Sequence, residues 1–125
     1  MDAPVRVVIV EDNEPFRETL KLLLAMRPEI DVVAALERGA DAIELCAERA
    51  PDVAVIDYRM PGLNGAQTTT AILAASPRTR VVCLTASVTP EEADAVIAAG
   101  AIACLTKDSG LEEIVSVIQA AARAA

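Results

Sequence analysis

Aromatic side chains are almost missing: the 125 residues hold one Phe, one Tyr and no Trp, 2% of the chain against a hydrophobic share of 54%. The core is therefore expected to be built from Val, Ile, Leu and Ala, a composition that suits a parallel sheet covered by helices on both faces. Basic residues number 11 against 19 acidic ones, and the net charge of −8 argues against direct nucleic-acid binding, which needs clustered Lys and Arg against phosphate. The same balance suits solubility and a cation site. No apolar stretch approaches the ~20 residues of a membrane span, and no signal-peptide pattern is present. Cys46, Cys83 and Cys104 are widely spaced with no Cys-x-x-Cys pair. They read as buried, reduced thiols of a cytoplasmic protein rather than as metal ligands or disulfide partners. Linkers, repeats and low-complexity tracts are also lacking, so residues 1–125 are expected to form one domain. That length buries roughly two-thirds of its unfolded surface.

What is present is a set of four short apolar runs, each closing on a polar side chain. Residues 5–10 run into Glu11 and Asp12, residues 53–56 into Asp57, residues 81–84 into Thr85, and residues 101–106 into Lys107. If the runs are parallel strands, these groups gather at the carboxyl edge of one sheet, where open α/β sheets place ligand sites. Three carboxylates, a hydroxyl and an ammonium in one crevice describe a site for a divalent cation and a phosphoryl group.

Helix-like stretches separate the runs. Residues 14–26 put Phe16, Leu20, Leu23 and Leu24 on one helical face, with Pro15 in the first turn and Pro28 beyond the end. Residues 31–36 form a second apolar run without a reactive residue at its end, and residues 39–50 a helix with Ile43, Cys46 and Ala47 inward. The loop Pro61-Gly62-Leu63-Asn64-Gly65 precedes a helix over 66–75 that Pro77 ends. Thr89, Pro90 and Glu92 supply the cap, first-turn proline and reciprocal glutamate of a capping box, for a helix reaching about Ala99. Ser109 and Glu112 suggest a second box before a last helix with Leu111, Ile114, Val115 and Ile118 on one stripe. Strand and helix alternate five times. The expected fold is an α/β, doubly wound, five-stranded parallel sheet with right-handed crossovers and strand order 2-1-3-4-5. That order makes the first and third strands neighbours, about 4.8 Å apart, so Asp12 and Asp57 share the reach of one small cation.

Asp57 reads as a nucleophile whose carboxylate attacks a phosphoryl donor and forms an acyl phosphate; a turn or capping aspartate is the bland alternative. Such attack brings negative charge onto negative charge, and Glu11 and Asp12 supply the hard oxygen ligands that Mg²⁺ prefers. A capping role for Asp12 is weakened by Asn13, which can cap the first helix equally well. Thr89 caps the fourth helix, which leaves the Thr85 hydroxyl for a phosphoryl oxygen. Lys107 closes an apolar run inside an acidic pocket, where an ammonium holds a phosphoryl oxygen as a point charge. Positioning and charge neutralisation are most of what phosphoryl transfer requires.

The segments Val8-Ile9-Val10-Glu11-Asp12-Asn13, Asp57-Tyr58-Arg59-Met60-Pro61-Gly62-Leu63-Asn64-Gly65, Leu84-Thr85-Ala86 and Leu105-Thr106-Lys107-Asp108 together resemble a response-regulator receiver domain of two-component signalling. The resemblance spans essentially the whole chain and implies the flavodoxin-like, CheY-like (βα)5 fold. It implies that Asp57 accepts a phosphoryl group from the phosphohistidine of a sensor histidine kinase. It implies Mg²⁺ held by Asp12, Asp57, the backbone carbonyl of Arg59 and, through water, Glu11. Thr85 and Lys107 would move toward the phosphoryl oxygens and reshape the face of the fourth helix, fifth strand and fifth helix, a candidate homodimer surface. The chain would catalyse only its own phosphorylation and dephosphorylation. With no proline after Lys107-Asp108, it is similar to receivers that precede LuxR-type DNA-binding domains, so it is either a stand-alone receiver or a piece of a longer transcription regulator. Cys104 stands where receivers usually carry Tyr or Phe, so the chain has no aromatic ring at that position to couple the site to the output face. Arg59 and Ser87 fall at positions that tune phosphoryl lifetime in the family, and Arg59 would shield the acyl phosphate or pair with a neighbouring acid.

Two rivals remain. A pseudo-receiver would serve only as a dimerisation or docking module, a reading supported by Cys104 and by apolar stripes near Val96, Ile97 and Ile114. A flavodoxin-like or haloacid-dehalogenase-like enzyme is disfavoured, because a Gly-rich phosphate loop after the first strand is missing and Arg59 stands where phosphohydrolases of the latter class carry an aspartate, two residues after the nucleophile.

Overall fold

The computed structural model describes residues 3–124. Its elements alternate without exception: β1 (Val5–Val10), α1 (Glu14–Ala25), β2 (Ile30–Leu36), α2 (Gly39–Arg49), β3 (Val53–Ile56), α3 (Gly65–Ala75), β4 (Arg80–Thr85), α4 (Pro90–Ala98), β5 (Ala103–Thr106) and α5 (Leu111–Arg123). All strand pairs are parallel and the order is β2-β1-β3-β4-β5. The expected topology is the observed one.

The central strands explain the run-like sequence signal. Val7–Val10, all of β3 and Val81–Leu84 are buried, because helices cover both faces. Alternate residues feed two separate cores. Val7, Ile9, Val53, Val55, Val82 and Leu84 pack with Leu20 and Leu24 of α1 and with Ile114, Val115 and Ile118 of α5. Val8, Val10, Ala54, Ile56, Val81 and Cys83 pack with Ala42 and Cys46 of α2, Ile72 of α3 and Val96 of α4. Fully burying one such aliphatic side chain contributes about 1.5–3 kcal/mol, so the two cores fix the register of β1, β3 and β4 firmly.

Local chemistry sets the helix starts. Asn13 caps α1 by accepting from the Phe16 N–H at 2.9 Å. Asn64 with Gln67, and Thr89 with Glu92, form complete capping boxes at α3 and α4. The second box expected from Ser109 and Glu112 does not form. Gly110 precedes α5 without any side-chain cap, and the Glu112 carboxylate reaches instead to Arg27 beyond α1, at 2.5 Å. A charged partner outcompetes a neutral backbone N–H for that carboxylate.

Three inward assignments also need correction. Ala47 is exposed, because α2 turns Gly39, Ala42 and Cys46 inward. Gly39 sets that rotation by lying against Thr68 of α3, so close that a Cβ would strike its hydroxyl oxygen. Leu23 is 37% exposed at the margin of the α1 face. Cys104 is only half-buried, since β5 is an edge strand, while Cys46 and Cys83 are buried free thiols. Among the described residues no helix is long and apolar enough to cross a membrane.

Candidate functional site

The carboxyl ends of β1, β3, β4 and β5 converge, as the strand order requires. Val10 pairs with Ile56, Ile56 with Cys83, and Thr85 with Thr106. The chain one residue beyond β3 stays tied to β1, since Asp57 N–H donates to the Val10 carbonyl at 3.0 Å. Carboxylate oxygens of Glu11, Asp12 and Asp57 consequently lie within 4.8 Å of one another. Asp12 is exposed, and it lines a cleft with Tyr58, Arg59 and Met60 that opens the cluster to solvent.

Lys107 closes the other side. Its N–H donates to the Thr85 carbonyl at 2.9 Å, and its Nζ meets Glu11 Oε1 at 2.7 Å and Asp57 Oδ2 at 3.3 Å. Both carboxylates are nearly inaccessible, with side-chain exposures of 3% and 6%. Burial raises the Glu11 pKa; bonds from Lys107 and the Asn13 N–H oppose this, and the Asp57 charge adds to it. For Lys107, burial acts to lower the pKa, but the Glu11 bond and the Asp57 and Glu11 charges outweigh it and the net shift is upward. The ammonium is thus held charged between two buried acids. Three clustered carboxylates, two of them buried and balanced by a single ammonium, form an all-oxygen donor set that fits a hard divalent cation such as Mg²⁺.

The remaining predicted residues divide. Thr85 is fully buried, and its hydroxyl donates only a long 3.4 Å bond to the Ser87 carbonyl. Ser87 itself is exposed. The Arg59 N–H donates to Asp57 Oδ1 at 3.3 Å, while its guanidinium turns away to Glu92 Oε1 at 2.6 Å. Of the two roles expected for Arg59, pairing with a neighbouring acid is the one seen. The bond from the Thr89 N–H and the nearby Arg59 both hold the Glu92 carboxyl below its usual range.

Some contributors were invisible as site residues. Phe16, read as core, lies under the Lys107 ammonium, 4.5 Å from Nζ to the ring centre; such contacts contribute about 0.5–2 kcal/mol. Arg17 donates to the Glu11 carbonyl at 2.9 Å. Glu92, read as a cap, ties α4 to the loop after Asp57. Gly65 matters for space: its N–H donates to the Tyr58 carbonyl at 2.7 Å, and a Cβ there would stand 2.7 Å from Tyr58 Cα. The Asp-x₇-Gly spacing from Asp57 to Gly65 was the only signal available for that constraint.

A parallel α/β sheet with an acidic pocket at its carboxyl edge, faced by Thr and Lys from the next two strands, defines the class of protein. The family model described as the response regulator receiver domain matches residues 7–119, and the chain belongs to that family. It is 39% identical over 114 residues to "Probable transcriptional regulatory protein NarL" of Mycobacterium tuberculosis strain H37Rv, covering 91% of this chain and 53% of that one. It is 32% identical over 119 residues to the transcriptional regulatory protein DegU of Brevibacillus brevis, covering 95% and 50%. The chain therefore spans about half the length of these curated relatives. Its fold superposes on the signal receiver domain of NarL from Mycobacterium tuberculosis with a TM-score of 0.93 at 36% identity, covering 99% of this chain and all of that one. The response regulator domain of Thermotoga maritima CheB gives 0.87 at 27% identity, covering 98% and 99%. The chain is thus a receiver domain of two-component signalling whose curated relatives are transcriptional regulators.

Proposed function

We propose that Asp57 accepts a phosphoryl group from the phosphohistidine of a sensor histidine kinase in a Mg²⁺-dependent reaction. The observation that carries this reading is the meeting of Glu11, Asp12 and Asp57 within 4.8 Å beside a half-buried ammonium 3.3 Å from Asp57. An Asp57 carboxylate oxygen attacks phosphorus, the P–N bond breaks, and the imidazole departs with its electron pair. Asp12, Asp57, the Arg59 carbonyl and, through water, Glu11 are the residues that would hold Mg²⁺, and the ion when bound supplies charge neutralisation for the approaching phosphate. Lys107 neutralises one phosphoryl oxygen, and the Thr85 hydroxyl gives up its weak bond to the Ser87 carbonyl to reach another.

The output follows from where those two residues sit. Thr85 ends β4 and Lys107 follows β5, so their movement is felt by α4, β5 and α5. Cys104 offers no ring to relay it. The route instead runs through the backbone after Thr85 and the Arg59–Glu92 contact, which joins the loop after the acceptor to the first turn of α4. A ligand shifts this equilibrium only as far as it prefers one conformation. We assign the α4–β5–α5 face as the homodimer surface, a cytoplasmic setting, and a DNA-binding partner domain as the output, in line with the relatives' transcriptional role. One domain over residues 1–125 completes this reading.

Adding Mg²⁺ with beryllofluoride is expected to raise the melting temperature of the native chain and to leave Asp57→Asn unchanged. An equal rise in both, or none in the native chain, contradicts the assignment.

A further inference from the structure

The two strands that deliver Thr85 and Lys107 carry a second pair of reactive groups that phosphoryl transfer leaves unused. Cys83 and Cys104 are distant in sequence, yet they stand opposite each other in the register of β4 and β5. Both side chains lie on the sheet face covered by α3 and α4, Cys83 within its buried core and Cys104 packed against it. Neighbouring strands lie about 4.8 Å apart, and disulfides bridge Cα separations of about 4.4–6.8 Å. Strand spacing alone therefore brings the pair within bonding reach. The flanking pairs Val82 with Ala103 and Leu84 with Leu105 hold that register.

The two thiols differ in access. Cys83 is fully buried, and burial together with the neighbouring Cys104 pushes its pKa far above the ordinary thiol range. Cys104 is half-buried on an edge strand. Cys46 is fully buried on α2 and has no cysteine across from it, which makes it an internal control.

We propose that Cys83 and Cys104 form a redox-active dithiol that hydrogen peroxide closes into an intrachain disulfide. Cys104, as thiolate, attacks one peroxide oxygen; the O–O bond breaks and the departing hydroxide takes a proton, leaving a sulfenic acid and one water. Cys83 sulfur then attacks the Cys104 sulfur; the S–O bond breaks and the Cys83 proton leaves with the hydroxide as a second water. Two thiols lose two electrons and the peroxide gains them. The bond ties β4 to β5 two residues before Thr85 and three before Lys107, which places a covalent mark directly beneath the switch residues. The chemistry depends on the sheet register and not on the phosphoacceptor reading, so either can fail alone.

The test uses the reduced, folded chain treated with hydrogen peroxide, followed by peptide mass mapping without reductant. Trypsin leaves both cysteines in one peptide, because no Lys or Arg lies between Val81 and Thr106; cleavage at Glu91, Glu92 and Asp94 separates them. The expected product has lost two hydrogens, links the Cys83 and Cys104 peptides, leaves Cys46 free for alkylation after unfolding, and reverts with a thiol reductant. Cys83→Ala, checked for folding by circular dichroism, is expected to accumulate a sulfenic acid at Cys104 that a 1,3-dione traps. Cys104→Ser is expected to leave Cys83 unoxidised. Sulfinic acid at Cys104 beside a free Cys83 in the native chain, disulfide between two chains only, or three intact thiols under conditions that oxidise a small free thiol would each overturn the proposal.

Discussion

Replacing Lys107 by Met isolates the electrostatic balance at the centre of the site. The ammonium bridges Glu11 at 2.7 Å and Asp57 at 3.3 Å, and those carboxylates are 3% and 6% exposed. Removing one partner of a buried ion pair destabilises by about 3–5 kcal/mol. Lys107 itself keeps 17% of its side chain exposed, and Asp12 opens the cluster to water, so solvent screening brings the cost below that range, to about 2–3 kcal/mol at pH 7. At about 4 °C per kcal/mol for a domain of this size, the melting temperature should fall by about 8–12 °C. Mg²⁺ should recover much of that loss in the variant, because a divalent cation replaces the missing charge by binding the folded state. Acidification should narrow the gap as well. Glu11 titrates above its ordinary 4.5 when folded, and more so without Lys107, so the folded variant holds a proton the unfolded chain has lost. Variant stability therefore falls as pH rises through that window, and the deficit closes as pH drops toward and below 4.5. Thermal unfolding followed by circular dichroism, with and without Mg²⁺, reads all three effects. A variant as stable as the native chain at pH 7, or a gap that widens on acidification, would refute the reasoning.

Further outcomes follow from neighbouring residues. Gly65→Ala brings a Cβ to 2.7 Å from Tyr58 Cα, and backbone cannot yield as a side-chain tip does; urea unfolding should show a loss of about 1–3 kcal/mol, together with weaker Mg²⁺-induced stabilisation because the loop after Asp57 shifts. Glu112→Gln removes the bond to Arg27 that holds the Glu112 carboxyl below its usual 4.5. A depressed carboxyl contributes stability above its unfolded pKa and loses it as pH falls through the folded one. The variant should therefore unfold at a slightly lower urea midpoint than the native chain at pH 7 and at the same midpoint well below pH 4.5, and added salt should shrink the difference at pH 7.

Much of this architecture was legible because its causes are local. Val7–Val10 and Val53–Ile56 read as strands since both of their faces are apolar, and Asn13 and Thr89 announce helix starts through short-range caps. The site was legible for a different reason: strand order 2-1-3-4-5 forces Asp12, Asp57, Thr85 and Lys107 to one edge, whatever the details of packing. What stayed hidden depends on which elements meet and at what rotation. Nothing in residues 109–112 shows that Arg27 will capture Glu112. The turn of α2 that exposes Ala47 is set by Gly39 against Thr68 on a different helix. Phe16 looks like any core aromatic until Lys107 arrives over its ring from β5, and Cys83 meets Cys104 only once β4 and β5 are in register.

The central claim is that the Asp57 carboxylate takes up phosphate within this acidic, lysine-closed pocket. Intact mass of the native chain and of Asp57→Asn, each incubated with acetyl phosphate and Mg²⁺, tests it most directly. The account predicts one phosphoryl adduct on the native chain that a chelator prevents, and none on the variant. An unmodified native chain, or equal adducts on both, would contradict it.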